Sequence, residues 1–230
     1  MTWEKVVLED GKATAYHNGQ PLAKASEKDI VGDHNLRVGL FPPGLRWISA
    51  DWKTIIIERP PAYQQMAYDA RYRGAAKAHQ MFRIPMPWQV YVISFNNPAY
   101  APSLSAFCRP EQLREATDPL YVYPLPNVGD SGGVCMHVES QWPPFVKTNP
   151  TLAERAFFII NAMWMSGFNH NMGNIIQQKS RHAKEFQPEM AGKNDFQILE
   201  ALEEYTLEEV VSWHFPKAQA TLGSFMQNTN

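Results

Sequence analysis

The sequence predicts an α+β fold, an antiparallel sheet with helices packed on one face, preceded by a β-rich extension. Three observations carry this. Strand-like runs closed by turn dipeptides fill the first half of the chain, the long apolar helix with its capping residues comes only after residue 149, and no β–α–β alternation links the two. Of 230 residues, 44% are apolar and 19% charged, enough for a buried core and outside the range of disordered chains.

Taken in order, Val6 to Leu8 and Ala13 to His17 alternate around Asp10-Gly11 and end at Asn18-Gly19, a hairpin pattern. Leu36 to Phe41 closes at Pro42-Pro43-Gly44, and Thr54 to Glu58, with three consecutive isoleucines, closes at Pro60-Pro61. Proline cannot continue a ladder, so both read as strands. Residues 62 to 83 read as loop or helix, with Arg71, Arg73, Lys77 and Arg83 around Tyr72 and His79 as a basic, solvated face or a docking surface. Gln89 to Phe95 and Leu104 to Cys108 are strand-like, and Arg109 to Ala116 reads as a helical turn. Thr151 and Glu154 form a capping box before a helix that reaches about Met165 and ends at Gly167. Its Phe157, Phe158, Ile159, Ile160, Met163 and Trp164 are apolar nearly all round, which predicts burial as the central core helix, Met165 included. Helices over Asp195 to Tyr205 and Thr206 to Trp213 follow, the second with a Thr206/Glu209 capping box, their paired glutamates forming a solvated face. The resulting division is a β-rich extension over 1–60, a main domain over 61–215 and a frayed, flexible tail over 216–230.

Composition removes several classes of function. Twenty-one Lys and Arg against 23 Asp and Glu leave a formal charge of −2, so no overall field draws the chain to nucleic acid or an anionic membrane. Met1 to Lys5 carries a charge pair where a secretory leader has a basic patch and an apolar run. Ala156 to Met165 is ten residues long, against the roughly 20 that a membrane span requires. The two cysteines, Cys108 and Cys135, form neither a disulfide framework nor a CxxC pair, which predicts a reducing, cytoplasmic setting. Seven scattered histidines without an i, i+4 pair predict no metal site, and the glycine-rich nucleotide fingerprints are missing, so no cofactor is expected.

Chemistry concentrates in the segment from Tyr121 to Cys135. Pro124 and Pro126 stiffen the approach, and Gly129, Gly132 and Gly133 permit a tight loop with positive φ. Asn127 and Cys135 then stand at the two ends of one compact loop. A thiol on a shaped loop is a candidate nucleophile, and the amide either braces the loop or donates to an oxyanion. Cys108, at a strand end with no such loop, reads as structural.

Pro126-Asn127-Val128, Gly132 five residues after the asparagine, and Val134-Cys135 resemble the active-site signature of ubiquitin-conjugating (E2) enzymes, His-Pro-Asn-(Val/Ile)-x3-Gly-x-(Ile/Val)-Cys, at six of its seven specified positions. Leu125 replaces the histidine. With Phe107 to Pro110, Leu120-Tyr121 and the stretch from Ala156 to His170, this resembles the prokaryotic E2-like family called PRTRC system protein B, over residues 36 to 205 in patches. The resemblance implies a UBC/E2-like sheet-and-helix domain that carries a ubiquitin-like protein as a thioester on Cys135 and transfers it to an acceptor amine without a cofactor. It implies as partners a ubiquitin-like protein and an E1-like adenylating enzyme, with a plasmid or phage setting. Asn127 matches the asparagine that braces the loop and polarises the thioester carbonyl.

His137 is an accessory candidate, because two residues along a strand return to the face of Cys135, where an imidazolium lowers a thiol pKa. Ser166, Asn169 and His170, at the end of the core helix, match the acceptor side of the E2 cleft or are ordinary helix-end residues. Two further readings stay open: a non-catalytic E2-variant adaptor that binds a ubiquitin-like or E1-like partner, and a phage or plasmid structural protein whose loop match is fortuitous.

Overall fold

A computed structural model describes residues 5–9, 12–17, 20–21, 42–49, 51–68, 80–95, 100–122, 125, 127–136, 138, 140–148, 150–165, 193, 195–213, 215 and 217–227. The expected strand over Leu36 to Phe41 and the basic residues 71–77 lie outside them. The N-terminal hairpin is present as β1 (Lys5–Glu9) and β2 (Lys12–His17), with the short β3 (Gln20–Pro21) completing a three-stranded antiparallel sheet.

The main sheet grows around β5 (Thr54–Arg59). Its β-branched isoleucine run favours extended backbone, and alternation sends Ile55 and Ile57 to one core cluster and Ile56 to another, so both faces are buried and the run has no polar break. β4 (Leu45–Ile48) and β8 (Trp88–Ser94) flank β5, followed outward by β9 (Ser103–Arg109), β10 (Pro119–Val122) and β11 (Lys217–Thr221). All six strands are antiparallel, in the order β11-β10-β9-β8-β5-β4. Because β5 pairs with β8 from Thr54 to Arg59, residues 45–59 share a sheet with strands that follow the boundary expected at residue 60.

The larger cluster fills the space under α1 (Trp142–Val146), α2 (Leu152–Met165), α3 (Asp195–Glu203) and α4 (Leu207–Val211). Both capping boxes form: Glu154 accepts from the N–H and hydroxyl of Thr151, and Glu209 does the same for Thr206. One buried hydrogen-bond chain ties α2 to the sheet, with the Trp164 indole donating to the Tyr91 hydroxyl at 3.1 Å and that hydroxyl donating to Gln89 Oε1 at 2.6 Å.

Five expectations are corrected. Within the range 62 to 83 expected as loop or helix, the described residues 62–68 and 80–83 are strand; β6 (Ala62–Tyr68) and β7 (Gln80–Met86) pair antiparallel, and Tyr68 and Phe82 meet Phe196 of α3 edge to face. Beyond β9 no helical turn forms between Arg109 and Ala116, because Asp118 takes the N–H groups of Arg114 and Glu115, and buried Arg109 holds Asp118 and the Pro119 carbonyl. The core helix is not buried all round: α2 leaves Phe157 59% and Met165 57% exposed, since its apolar residues outnumber those its inner face can place against the sheet. Of the tail expected over 216–230, residues 217–227 are not frayed; β11 closes the sheet on β10, and α5 (Leu222–Gln227) follows at once. Nor do the helices keep to one face, for α5 packs Leu222, Phe225 and Met226 onto the opposite cluster of Ile56, Val90, Val92 and Phe107. The described helices include none long and apolar enough to cross a membrane.

Buried Glu58 on β5 binds Arg46 from β4 through Nε at 2.7 Å and accepts the Leu113 N–H at 2.5 Å. Glu58→Ala leaves a buried donor and a half-exposed cation without their acceptor, and is expected to cost about 2–3 kcal/mol in urea unfolding. Asp118 has its pKa held below the usual carboxylate value chiefly by the Arg114 N–H, with the Glu115 N–H and Arg109 adding to it against the opposing effect of burial. A lowered folded pKa contributes stability that is complete above the unfolded value and lost as pH falls through the folded one. Asp118→Asn should therefore flatten the stability profile below about pH 4, which acid titration followed by circular dichroism measures.

Candidate functional site

The loop after β10 is a miniature hairpin sewn to the edge of β9. Val128 bridges Val134, the Gly132 N–H closes a turn on the Gly129 carbonyl at 2.8 Å, and the Gly129 N–H donates to the Gly133 carbonyl at 2.8 Å. The Cys135 N–H donates to the Asn127 carbonyl at 2.8 Å, so one hydrogen bond joins the two ends of the loop. Outward, the Ala106 N–H donates to Gly132 and the Val134 N–H to Leu104, at 2.8 and 3.0 Å. β10 already occupies Phe107 and Cys108 on that edge, and the loop takes the next positions, Leu104 to Ala106.

Two residues take the left-handed backbone this path needs. Gly132 has φ +85° and Asn127 φ +62°, asparagine being among the side chains that best tolerate that region. Gly129 and Gly133, also expected to supply positive φ, do not. Gly132 is required for a second reason: a Cβ there would overlap the ring of Phe107, on which its backbone rests. Phe107 is in turn held from below by Phe225 of α5, 5.6 Å between ring centroids. Sequence reading placed Phe107 beside the site only through the resemblance. Its part as the loop's floor had no local signal, because it depends on a glycine 25 residues later.

The two thiols are placed differently. Cys108 is buried, and its S–H donates to the Val122 carbonyl at 3.3 Å, tying β9 to β10. Cys135 is half-buried at the end of the loop, and among the described residues its Sγ has no hydrogen bond or ion pair. Asn127 keeps only 6% of its surface exposed, and Leu125 is fully packed in the larger cluster. Asn127 and Cys135 are thus brought together through the backbone. His137, Ser166, Asn169 and His170 lie outside the described residues. One feature of the loop went unseen in the sequence: Asp130 Oδ1 is sealed from solvent with no hydrogen-bond partner. Among the described residues no group of three or more His, Cys, Asp or Glu side chains converges as metal ligands.

Gly132→Ala is expected to lower stability by about 2–4 kcal/mol, from the strained φ together with displacement of the Phe107 ring. Gly133→Ala is the internal control, since its added methyl meets only the Ser131 hydroxyl at 3.9 Å; it should cost under about 1 kcal/mol. Chemical denaturation of the two variants side by side makes the comparison.

Set against protein-family profiles, curated proteins and solved structures, the chain matches none.

Proposed function

We propose that this chain is an E2-like carrier that holds a ubiquitin-like protein as a thioester on Cys135 and passes it to an acceptor amine. The observation that carries the reading is a half-exposed thiol at the end of a loop locked both across its base, by the Cys135–Asn127 hydrogen bond, and along its side, by β9. A rigid mount of this kind positions a nucleophile without a conformational search. The likeness of Pro126-Asn127-Val128, Gly132 and Val134-Cys135 to the E2 signature, and an antiparallel sheet leading into the loop with a long helix after it, support the same reading.

In the first step the Cys135 thiolate attacks the carbonyl of a thioester carried by an E1-like adenylating enzyme. A carbon–sulfur bond forms to Cys135, the donor's carbon–sulfur bond breaks, and the donor thiol leaves with the electron pair. One thioester replaces another, so the exchange is close to energy-neutral and calls for no cofactor. In the second step an acceptor amine attacks, its proton passes to solvent, the amide bond forms and Cys135 leaves as thiolate. A system related to PRTRC protein B in the cytoplasm is the setting this chemistry suits.

The burial of Asn127 favours a second reading, a non-catalytic adaptor that binds the same partners. An amide packed inside the loop braces the left-handed turn, whereas an oxyanion donor must face the thioester.

Incubation with a ubiquitin-like partner, its adenylating enzyme and ATP should yield a thiol-sensitive adduct. Cys135→Ala should abolish it, and Cys135→Ser should give an ester stable to thiols. Partner binding with no adduct on the unaltered chain supports the adaptor; neither binding nor adduct refutes both. Asn127→Gly keeps the backbone and removes the amide: transfer slowed by about 100-fold assigns the amide to the oxyanion, and transfer at full rate assigns it to bracing.

A further inference from the structure

Two of the three buried charged side chains among the described residues are matched: Glu58 has Arg46, and Arg109 has Asp118. Arg155 is not. It stands in the first turn of α2 on the inward side, keeps 5% of its surface, and donates from Nε to the Pro150 carbonyl at 3.2 Å. Among the described residues no carboxylate lies within ion-pairing distance of it, and no acceptor receives its Nη groups. The neighbouring Glu154 is turned to Thr151 in the capping box.

A guanidinium taken out of water without a counter-charge is costly, and burial alone pulls its pKa below the ordinary value. The position compounds the cost. Folding back to Pro150 puts the cation at the N-terminal end of a 14-residue helix, where the aligned peptide dipoles add about half a positive charge. The first helix N–H groups, those of Leu152 and Ala153, have no acceptor within the helix. Among the described residues the sealed, unpartnered side-chain atoms are Gln89 Nε2, Asp130 Oδ1 and Trp142 Nε1, and the Arg155 Nη nitrogens are not among them.

We propose that Arg155, at the head of α2, is the receptor for a carboxylate group on a ligand of this chain. With Nε committed to Pro150, the remaining edge of the guanidinium offers two parallel N–H donors, a fork that matches the two oxygens of one carboxylate. The assignment stands apart from the chemistry of Cys135.

The test uses the whole chain, with acetate as the probe and sodium chloride balancing ionic strength. Acetate should shift the Arg155 guanidinium ¹⁵N resonance saturably and raise the melting temperature, while acetamide and chloride do neither. Arg155→Met should lose both responses to acetate. Arg155→Lys, which keeps the charge and loses the fork, should bind acetate more weakly by on the order of tenfold; it is the comparison if the Met variant does not fold. An Arg155 resonance that acetate leaves unmoved, an equal response to chloride, a response to inorganic phosphate without one to acetate, or an undiminished response in folded Arg155→Met would each overturn the proposal.

Discussion

The contact between the Gly132 backbone and the face of Phe107 is the constraint on which the candidate site depends. It lets the loop lie against β9 closely enough for the Ala106 N–H to donate to the Gly132 carbonyl and the Val134 N–H to the Leu104 carbonyl, and those bonds hold the loop strand in which Val134 stands opposite Val128. Phe107 can serve as a floor because Phe225, packed in the same cluster on that face of the sheet, supports its ring. The position of the thiol is therefore set by a stack running from the C-terminal helix through β9 to the loop, and not by the loop's own residues alone. Cys135 gains a fixed position from this arrangement while remaining half-buried.

The same packing separates the chain's two cysteines. Cys108 sits one residue from Phe107 but on the opposite face of β9, in the larger core cluster, where its thiol makes a weak bond to β10. Cys135 ends a segment that has left the sheet. Arg155 shows a different balance: its helix buries Leu152, Ala156 and Ile159 on the same side, so apolar packing draws the guanidinium inward with no opposite charge to meet it.

Much of the fold was legible because its signals are local. The alternation of β1 and β2, the isoleucine run of β5 and the two Thr/Glu capping boxes each act within a few residues, and all are realised as antiparallel pairing, a strand and capped helix starts. What escaped depends on distant partners. The β6–β7 pair reads as polar and irregular until Phe196 supplies the third ring of its aromatic cluster, more than a hundred residues on. The final segment looks too polar to hold itself in place, and it is ordered by an open edge on β10 and an apolar face of the sheet that needed a cover. Arg109 to Ala116 has helical propensity, and a single aspartate competes successfully for its N–H groups.

By itself the sequence determined the class of fold, the identities and spacing of Asn127 and Cys135, and a loop closed enough to bring them together, because turn chemistry and hydrophobic alternation are properties of neighbouring residues. Tertiary structure decided which glycine had to be glycine, that Asn127 would take a left-handed backbone inside the protein, that the second face of the sheet would be covered, and that Arg155 would be buried without a counter-charge. Each of these follows from close approach between residues far apart in the chain, where steric exclusion and desolvation act and no local propensity reaches.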